Sequence, residues 1–266
     1  MLANYNITYN TAEFLITPKA ASVTPAAKSK TYGDADPALT GSLSGFLAAD
    51  NVTATYSRTP GETVAGSPYT ISASLSPAGV LGNYNITYNT ANFTITRAQL
   101  SVNAVAASKT YGNSDPSFSY TLSGFKNGEN ATSAGVTGSA NCTRTPGETV
   151  AGSPYTITCA PGGLDAPNYS FTTGSTANFT IYKRNASVTP NAASKTYGSP
   201  DPALTGTLTN FVAADNVTAT YTRTAGETVA GSPYTISATL SPAGVLGNYN
   251  ITYNTANFTI DRKSVV

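Results

Sequence analysis

Residues 69–75 read Tyr-Thr-Ile-Ser-Ala-Ser-Leu. In an extended chain Tyr69, Ile71, Ala73 and Leu75 fall on one side and Thr70, Ser72 and Ser74 on the other. Side chains of a strand alternate with a period of two, so this stretch predicts a strand with one packed and one solvated face. Tyr84, Ile86 and Tyr88 alternate with Asn85 and Thr87 in the same way. Beyond a turn at Asn89-Thr90-Ala91, Phe93 and Ile95 continue the pattern, and the two segments together read as an antiparallel hairpin. Val52, Ala54 and Tyr56 suggest a further strand. Pro37, Pro60, Pro68 and Pro77 punctuate the turns. The one helical candidate is the short run Phe46–Asp50. The expected fold class is all-β, an immunoglobulin-like sandwich. The alternative, a β-grasp-like sheet, needs a crossing helix that this composition hardly supports.

The pattern occurs three times. Tyr32-Gly33, Tyr111-Gly112 and Tyr197-Gly198 each follow Ser-Lys-Thr, with offsets of 79 and 86 residues. Each precedes an Asp-Pro and then Gly-Glu-Thr-Val-Ala-Gly-Ser-Pro-Tyr-Thr-Ile. The expected domains are residues 19–97, 98–183 and 184–266, each of a size that suffices for one core. Residues 1–18 repeat the closing hairpin of a copy: Asn4-Tyr5-Asn6-Ile7-Thr8-Tyr9 with Phe14 matches Asn248–Tyr253 with Phe258. This extra hairpin reads as the tail of a preceding partial repeat, and its Tyr5/Ile7/Tyr9 face lacks a domain to bury it. Consecutive copies join without a Gly/Ser-rich linker, since Phe93–Thr96 runs through Arg97 into the strand around Leu100-Ser101-Val102. A junction this short restricts interdomain freedom. The expectation is an elongated rod, on the order of 100–120 Å for three sandwiches. The middle copy carries seven extra residues between Phe125 and Arg144, read as a polar loop (Lys126–Gly135) in which insertions cost little.

Composition narrows the function. The formal net charge is +1, with 10% charged residues and no basic stripe, which argues against nucleic acid as a partner. No apolar run reaches the ~20 residues of a membrane helix. The chain has no His and no Trp. Without His it lacks the usual general base and the commonest metal ligand. No catalytic residue, cofactor site or metal site is expected, and the chain reads as a non-enzyme.

The Lys-Thr-Tyr-Gly-Asp-Ala-Asp-Pro of residues 30–37, with Gly-Ser-Pro-Tyr-Thr-Ile and Asn-Tyr-Asn-Ile-Thr-Tyr, resembles the MBG-type tandem repeat, Tyr-Gly variety, of large bacterial surface and adhesin-like proteins. The resemblance spans nearly the whole chain. It implies an extracellular stalk or adhesin module at the cell surface, without enzyme activity.

Several constellations invite a chemical reading. Cys142 and Cys159 both lie in the middle copy, where the outer copies hold Tyr56/Ala73 and Tyr221/Ala238. A large/small pair replaced jointly by two cysteines suggests that the positions touch. A disulfide there would stabilise by about 3 kcal/mol in the loop-entropy estimate and would belong to an oxidising compartment. The other reading is two independent buried thiols. Asp34 and Asp36 ahead of Pro37, with Asp115 and Asp201 before Pro116 and Pro202, suggest either calcium ligands or Asp-Pro turns. Arg58/Glu62, Arg144/Glu148 and Arg223/Glu227 read as loop braces. Lys30, Lys109 and Lys195 raise an intramolecular Lys–Asn cross-link assisted by an acid. The sequons at Asn51, Asn85, Asn92, Asn178, Asn216, Asn250 and Asn257 allow glycosylation. Tyr69, Tyr84 and Tyr88 read as core residues rather than a sugar-stacking surface.

The functional expectation is a rigid extracellular spacer whose partners are its own neighbouring repeats. The alternatives are an adhesive module binding a surface glycan or protein through exposed loops, with the seven-residue insert the first candidate, and a head-to-tail filament subunit that self-assembles through its terminal hairpins by strand addition.

Overall fold

A computed structural model describes residues 2–262. The first repeat holds seven strands: β1 (Lys19–Pro25), β2 (Lys28–Thr31), β3 (Gly41–Ser44), β4 (Thr53–Arg58), β5 (Tyr69–Ser76), β6 (Tyr84–Tyr88) and β7 (Ala91–Thr96). They form two sheets, β3-β1-β6 and β2-β7-β5-β4. The fold is an immunoglobulin-like sandwich. Among the described residues no helix crosses a sheet. The two α-helices, α1 (Ala78–Leu81) and α2 (Ala243–Leu246), have four residues each. The helical candidate at Phe46–Asp50 is a 3₁₀ turn at Ala48–Asp50.

Alternation along β5 and β7 places Tyr69, Ile71, Phe93 and Ile95 inside, and Val23 of β1 faces them from the other sheet. Tyr69 pairs with Phe93 and Ile71 with Ala91 across the antiparallel β5–β7 ladder. Two expectations need correction. The Tyr/Asn-rich segment is not a hairpin: β6 lies parallel to β1 in one sheet, while β7 lies parallel to β2 and antiparallel to β5 in the other. The turn after Tyr88 therefore changes sheets, and the Asn89 N–H donates to the Val23 carbonyl at 3.0 Å. A parallel partner comes from far along the chain, so a local turn signal cannot announce it. Tyr88, at the outer end of β6, is 51% exposed and not a core residue.

The middle repeat holds β8 (Ala98–Ala104), β9 (Ala107–Thr110), β10 (Tyr120–Ser123), β11 (Asn141–Arg144), β12 (Tyr155–Ala160), β13 (Tyr169–Thr173) and β14 (Ala177–Tyr182). The third holds β15 (Arg184–Pro190), β16 (Ala193–Thr196), β17 (Gly206–Thr209), β18 (Thr218–Arg223), β19 (Tyr234–Ser241), β20 (Tyr249–Tyr253) and β21 (Ala256–Asp261). Their sheets repeat the first pattern: β10-β8-β13 with β11-β12-β14-β9, and β17-β15-β20 with β16-β21-β19-β18. One residue, Arg97, separates β7 from β8, and one, Lys183, separates β14 from β15.

Compactness does not follow the sequence period. The chain forms two units, one of Met1–Leu100, Gly124–Gly138 and Leu164–Phe171, the other of the remaining residues. In the first unit a single apolar cluster runs from Tyr32, Tyr69, Ile71, Phe93 and Ile95 of the first repeat to Ala98, Leu100, Ala134, Ala166 and Tyr169 of the second. The first repeat thus shares its trailing core with residues of the next. In the second unit, Ile236, Phe258 and Ile260 form the corresponding core, with Leu204, Tyr221 and Tyr234 packed on it.

Residues 5–18 hold no strand, which corrects the expected terminal hairpin. Tyr5, Tyr9, Phe14 and Ile16 lie exposed, since the sheet strands that cover Tyr84, Phe93 and Ile95 in a full repeat have no counterpart beside this segment.

Gly61, with φ +144°, lies against the Tyr69 ring, and a Cβ there would sit 2.1 Å from Tyr69 Cε1. The Tyr69 hydroxyl accepts the Thr63 N–H at 3.1 Å and donates to the Thr63 carbonyl at 3.0 Å, which pins the loop before β5. Gly61→Ala therefore meets both a backbone penalty and a clash, and should lower stability by about 1–3 kcal/mol in urea unfolding. An unchanged midpoint would contradict this account of the loop.

Candidate functional site: an ion cluster and the joint between repeats

Each repeat ties the same four charged side chains together. Lys30 of β2 and Arg58 of β4 point at Asp36, in the loop that follows β2. The contacts are Lys30 Nζ to Asp36 Oδ1 at 2.7 Å and Arg58 Nε to Asp36 Oδ2 at 2.6 Å. Glu62 accepts from both cations. Arg58 Nη1 also donates to the Gly61 carbonyl at 2.7 Å, and its Cζ lies 4.7 Å from the Phe93 ring centroid. The cations are buried along their stems while Glu62 is largely exposed. Lys109/Asp115/Arg144/Glu148 and Lys195/Asp201/Arg223/Glu227 repeat the arrangement. Hydrogen bonds from Arg58 outweigh burial and pull the Asp36 carboxyl down to about 2. Burial pulls Lys30 down, but its bonds to Asp36 and Glu62 outweigh that, and the net shift is upward.

This geometry redefines three candidates. Asp36, Asp115 and Asp201 already face two cations each, so positive charge occupies the place a calcium ion would take. Asp34 instead pairs with Lys126 at 2.9 Å. Among the described residues no group of three or more metal-ligating side chains is present. Lys30 meets Asp36 and Glu62, not an asparagine. An ionised carboxylate and a protonated amine favour an ion pair over amide formation. The Arg/Glu braces exist, but the arginine is a buried, ring-stacked group rather than a surface one.

The Tyr-Gly that follows each lysine has a different task. In the first unit the Tyr32 hydroxyl donates to Glu129 Oε1 at 2.7 Å, and the Tyr169 hydroxyl donates to the other oxygen of the same carboxylate. The two rings meet edge to face, with centroids 5.4 Å apart. The Lys126 N–H donates to the Tyr169 hydroxyl at 3.0 Å, and the Val64 N–H donates to Asn168 Oδ1 at 3.0 Å. Gly33, with φ +81°, lies under the Lys126 stem, and a Cβ would come 2.3 Å from Lys126 Cβ. Glycine here allows the approach of the neighbouring repeat.

The second unit builds the same joint between the middle and third repeats. Tyr111 donates to Asp215 Oδ1 at 3.0 Å, and Tyr249 donates to Asp215 Oδ2. The rings again lie 5.4 Å apart, edge to face. The Val212 N–H donates to the Tyr249 hydroxyl at 2.9 Å, the Val150 N–H donates to Asn248 Oδ1 at 2.9 Å, and Val212 covers Gly112. Burial, with the carboxylate hydrogen bond, pushes Tyr169 and Tyr249 up to about 12.

Sequence reasoning missed this joint. The Tyr-Gly recurrence was visible, but its acid partner lies 97 residues away in one joint and 104 in the other. By sequence the insert reads as a polar loop. The structure instead uses Lys126, Glu129 and Ala134 in the joint and core of the first unit. Of the sequon asparagines, Asn51, Asn85, Asn92, Asn178, Asn216, Asn250 and Asn257 lie exposed. Cys142 and Cys159 stand directly opposite each other on β11 and β12, with a sulfur separation of 2.01 Å, a disulfide. Tyr56/Ala73 and Tyr221/Ala238 are the corresponding cross-strand pairs in the outer repeats.

The family model described as MBG domain (YGX type) matches residues 21–94, 100–180 and 186–259. The chain therefore belongs to that family, in three tandem copies. A comparison with curated proteins returns no match. Among solved structures, the I9–I11 tandem of titin is 8% identical, covering 91% of this chain and all of that one, with a TM-score of 0.24. Mouse cadherin-23 EC22–24 is 8% identical over 92% of this chain and all of that one, with a TM-score of 0.31.

The ion cluster makes stability depend on acid pH. Asp36 has a folded pKa of about 2 against an ordinary 3.8, so its contribution is present above the ordinary value and is lost as pH falls through the folded one. Asp36→Asn should therefore lower the unfolding midpoint at pH 7 and leave it close to the parent at pH 2. A deficit of equal size at both pH values would show that charge is not the cause.

Proposed function

We propose that this chain is a non-enzymatic spacer of an extracellular or cell-surface protein, in which each repeat is held against the next to keep distance and direction. The observation that carries this reading is the joint. It is built twice from equivalent residues, with a single residue between the strands it connects. A module that had only to fold would not need a tyrosine pair, a shared carboxylate and a facing glycine at the boundary. A linker of one residue sets direction only when side chains fix the remaining torsional freedom. The disulfide supports an oxidising location. The adhesive alternative loses its first candidate loop, because the insert contributes Glu129 and Lys126 to a joint.

Small-angle X-ray scattering tests the reading. The full chain should give a largest dimension on the order of 100–120 Å with a narrow distance distribution. Glu129→Ala and Asp215→Ala should each broaden that distribution while circular dichroism stays unchanged. A short, compact distribution for the parent chain, or one that neither variant alters, would overturn the spacer.

A further inference from the structure

Asn127 and Gly128 form the only Asn-Gly pair in the sequence. Four asparagines have positive φ: Asn51, Asn127, Asn210 and Asn216. Val52, Phe211 and Val217 follow three of them, and glycine follows Asn127 alone. Asn127 and Gly128, with φ +55° and +71°, are the central residues of a turn that the Glu129 N–H closes on the Lys126 carbonyl at 2.9 Å. Positive φ at both positions is the type I′ geometry that Asn-Gly favours. Both residues are exposed. No heavy atom lies within 4 Å of where a Gly128 Cβ would stand, and the Gly128 N–H has no acceptor among the described residues. The side-chain amides of Asn51 and Asn216 are anchored on the Ala49 and Ala214 carbonyls, at 3.3 and 3.1 Å.

This turn belongs to the first joint. Lys126 before it covers Gly33 and gives its N–H to Tyr169, and Glu129 after it accepts from both tyrosine hydroxyls. The Asn127 amide also bears on Tyr32. The Glu129 hydrogen bond and burial push the Tyr32 hydroxyl pKa up, and Asn127, acting as a donor, opposes them.

We propose that Asn127-Gly128 is a site of spontaneous covalent modification, at which the first joint converts to an aspartate or isoaspartate form that holds the two repeats less firmly. The Gly128 amide nitrogen gives up its proton to solvent base and attacks Asn127 Cγ. An N–Cγ bond forms, the Cγ–Nδ2 bond breaks, and Nδ2 leaves as ammonia with a proton taken from water. Water then opens the cyclic imide. Addition at Cγ restores the backbone and leaves an aspartate side chain. Addition at the Asn127 backbone carbonyl carbon leaves the chain running through Cγ, an isoaspartate. Glycine exposes its nitrogen to this attack, whereas the branched Val52 and Val217 crowd theirs. The turn can open for ring closure because its outer side meets only solvent. Either product replaces a neutral donor with a carboxylate, which competes with Glu129 for the Tyr32 hydroxyl proton and repels Glu129 itself. Isoaspartate also lengthens the backbone between Lys126 and Glu129, two residues the joint holds at a fixed separation. The second joint lacks this chemistry, since Asp215 is followed by Asn216-Val217. The two joints therefore age differently.

Incubation of the full chain in warm, mildly alkaline buffer, followed by peptide mass mapping, reads the modification. Conversion at Asn127 should exceed that at Asn51, Asn210 or Asn216 at least about tenfold, because the residue that follows differs. The converted fraction, separated from the parent by its added negative charge, is then compared with fresh chain by hydrogen exchange. Backbone amides of residues 124–138 should exchange at least about fivefold faster, as expected on weakening a charge-assisted hydrogen bond, while residues 212–217 stay unchanged. Asn127→Gly keeps the positive φ and cannot form the imide, so it should neither convert nor loosen over the same incubation. Absence of conversion at Asn127, or equal conversion at Asn216, would overturn the proposal. So would a converted fraction that exchanges like fresh chain, or loosening of residues 124–138 in Asn127→Gly to the same degree. The chemistry is independent of the spacer reading, which the scattering experiment tests separately.

Discussion

Two tyrosine hydroxyls on one carboxylate hold each pair of repeats. One hydroxyl belongs to the preceding repeat and one to the following repeat, so the acid is satisfied only when both are present. Charge-assisted bonds of this kind are strong and directional, and partial burial strengthens them. The rings meet edge to face, which fixes their mutual angle as well as their distance. The glycine beside the tyrosine completes the arrangement by removing the side chain that would hold the neighbour away. In the first unit this contact is continuous with the apolar core, so the boundary between sequence repeats lies inside a packed cluster.

The ion cluster serves the interior of a repeat rather than its boundary. Arg58 reaches from β4 over Phe93 to the Asp36 loop, and Lys30 reaches the same carboxylate from β2. One acid thus links strands at opposite edges of the four-stranded sheet. A buried cation needs such partners, because losing one would leave the other charge without compensation. Chemistry that needs a free amine or a neutral acid is therefore disfavoured where Lys, Asp and Glu converge.

Local pattern carried much of this fold. Tyr69–Leu75 alternates as a strand must, and the three copies align because Tyr-Gly and Gly-Glu-Thr-Val-Ala-Gly recur. The joint replacement of Tyr56/Ala73 by Cys142/Cys159 marks a cross-strand neighbour from the sequence alone, since a pair of substitutions registers contact. Three things were not legible. The parallel partners of β6 and β7 come from distant strands, while the turn at Asn89 suggested a nearer one. The acid that meets Tyr32 or Tyr111 lies in the next copy, and it is Glu129 in one joint and Asp215 in the other, so no fixed spacing identifies it. The insert looked dispensable because its residues are polar, yet Glu129 is polar for a contact. Exposed and contact-making loops share a composition, and sequence alone does not separate them.

The disulfide has a mechanical consequence. Cys142 and Cys159 lie 17 positions apart and face each other across adjacent strands. When the ends of the chain are drawn apart, the tension crosses that bridge and bypasses the stretch between the cysteines. At ~3.3–3.6 Å per residue, the bridge withholds about 60 Å of the length that the middle repeat would otherwise release on yielding. The bypassed stretch contains Arg144, Glu148 and Tyr155, together with Val150, which donates to Asn248. The loop that grips the following repeat is thus sheltered from extension after the rest of its own repeat has given way.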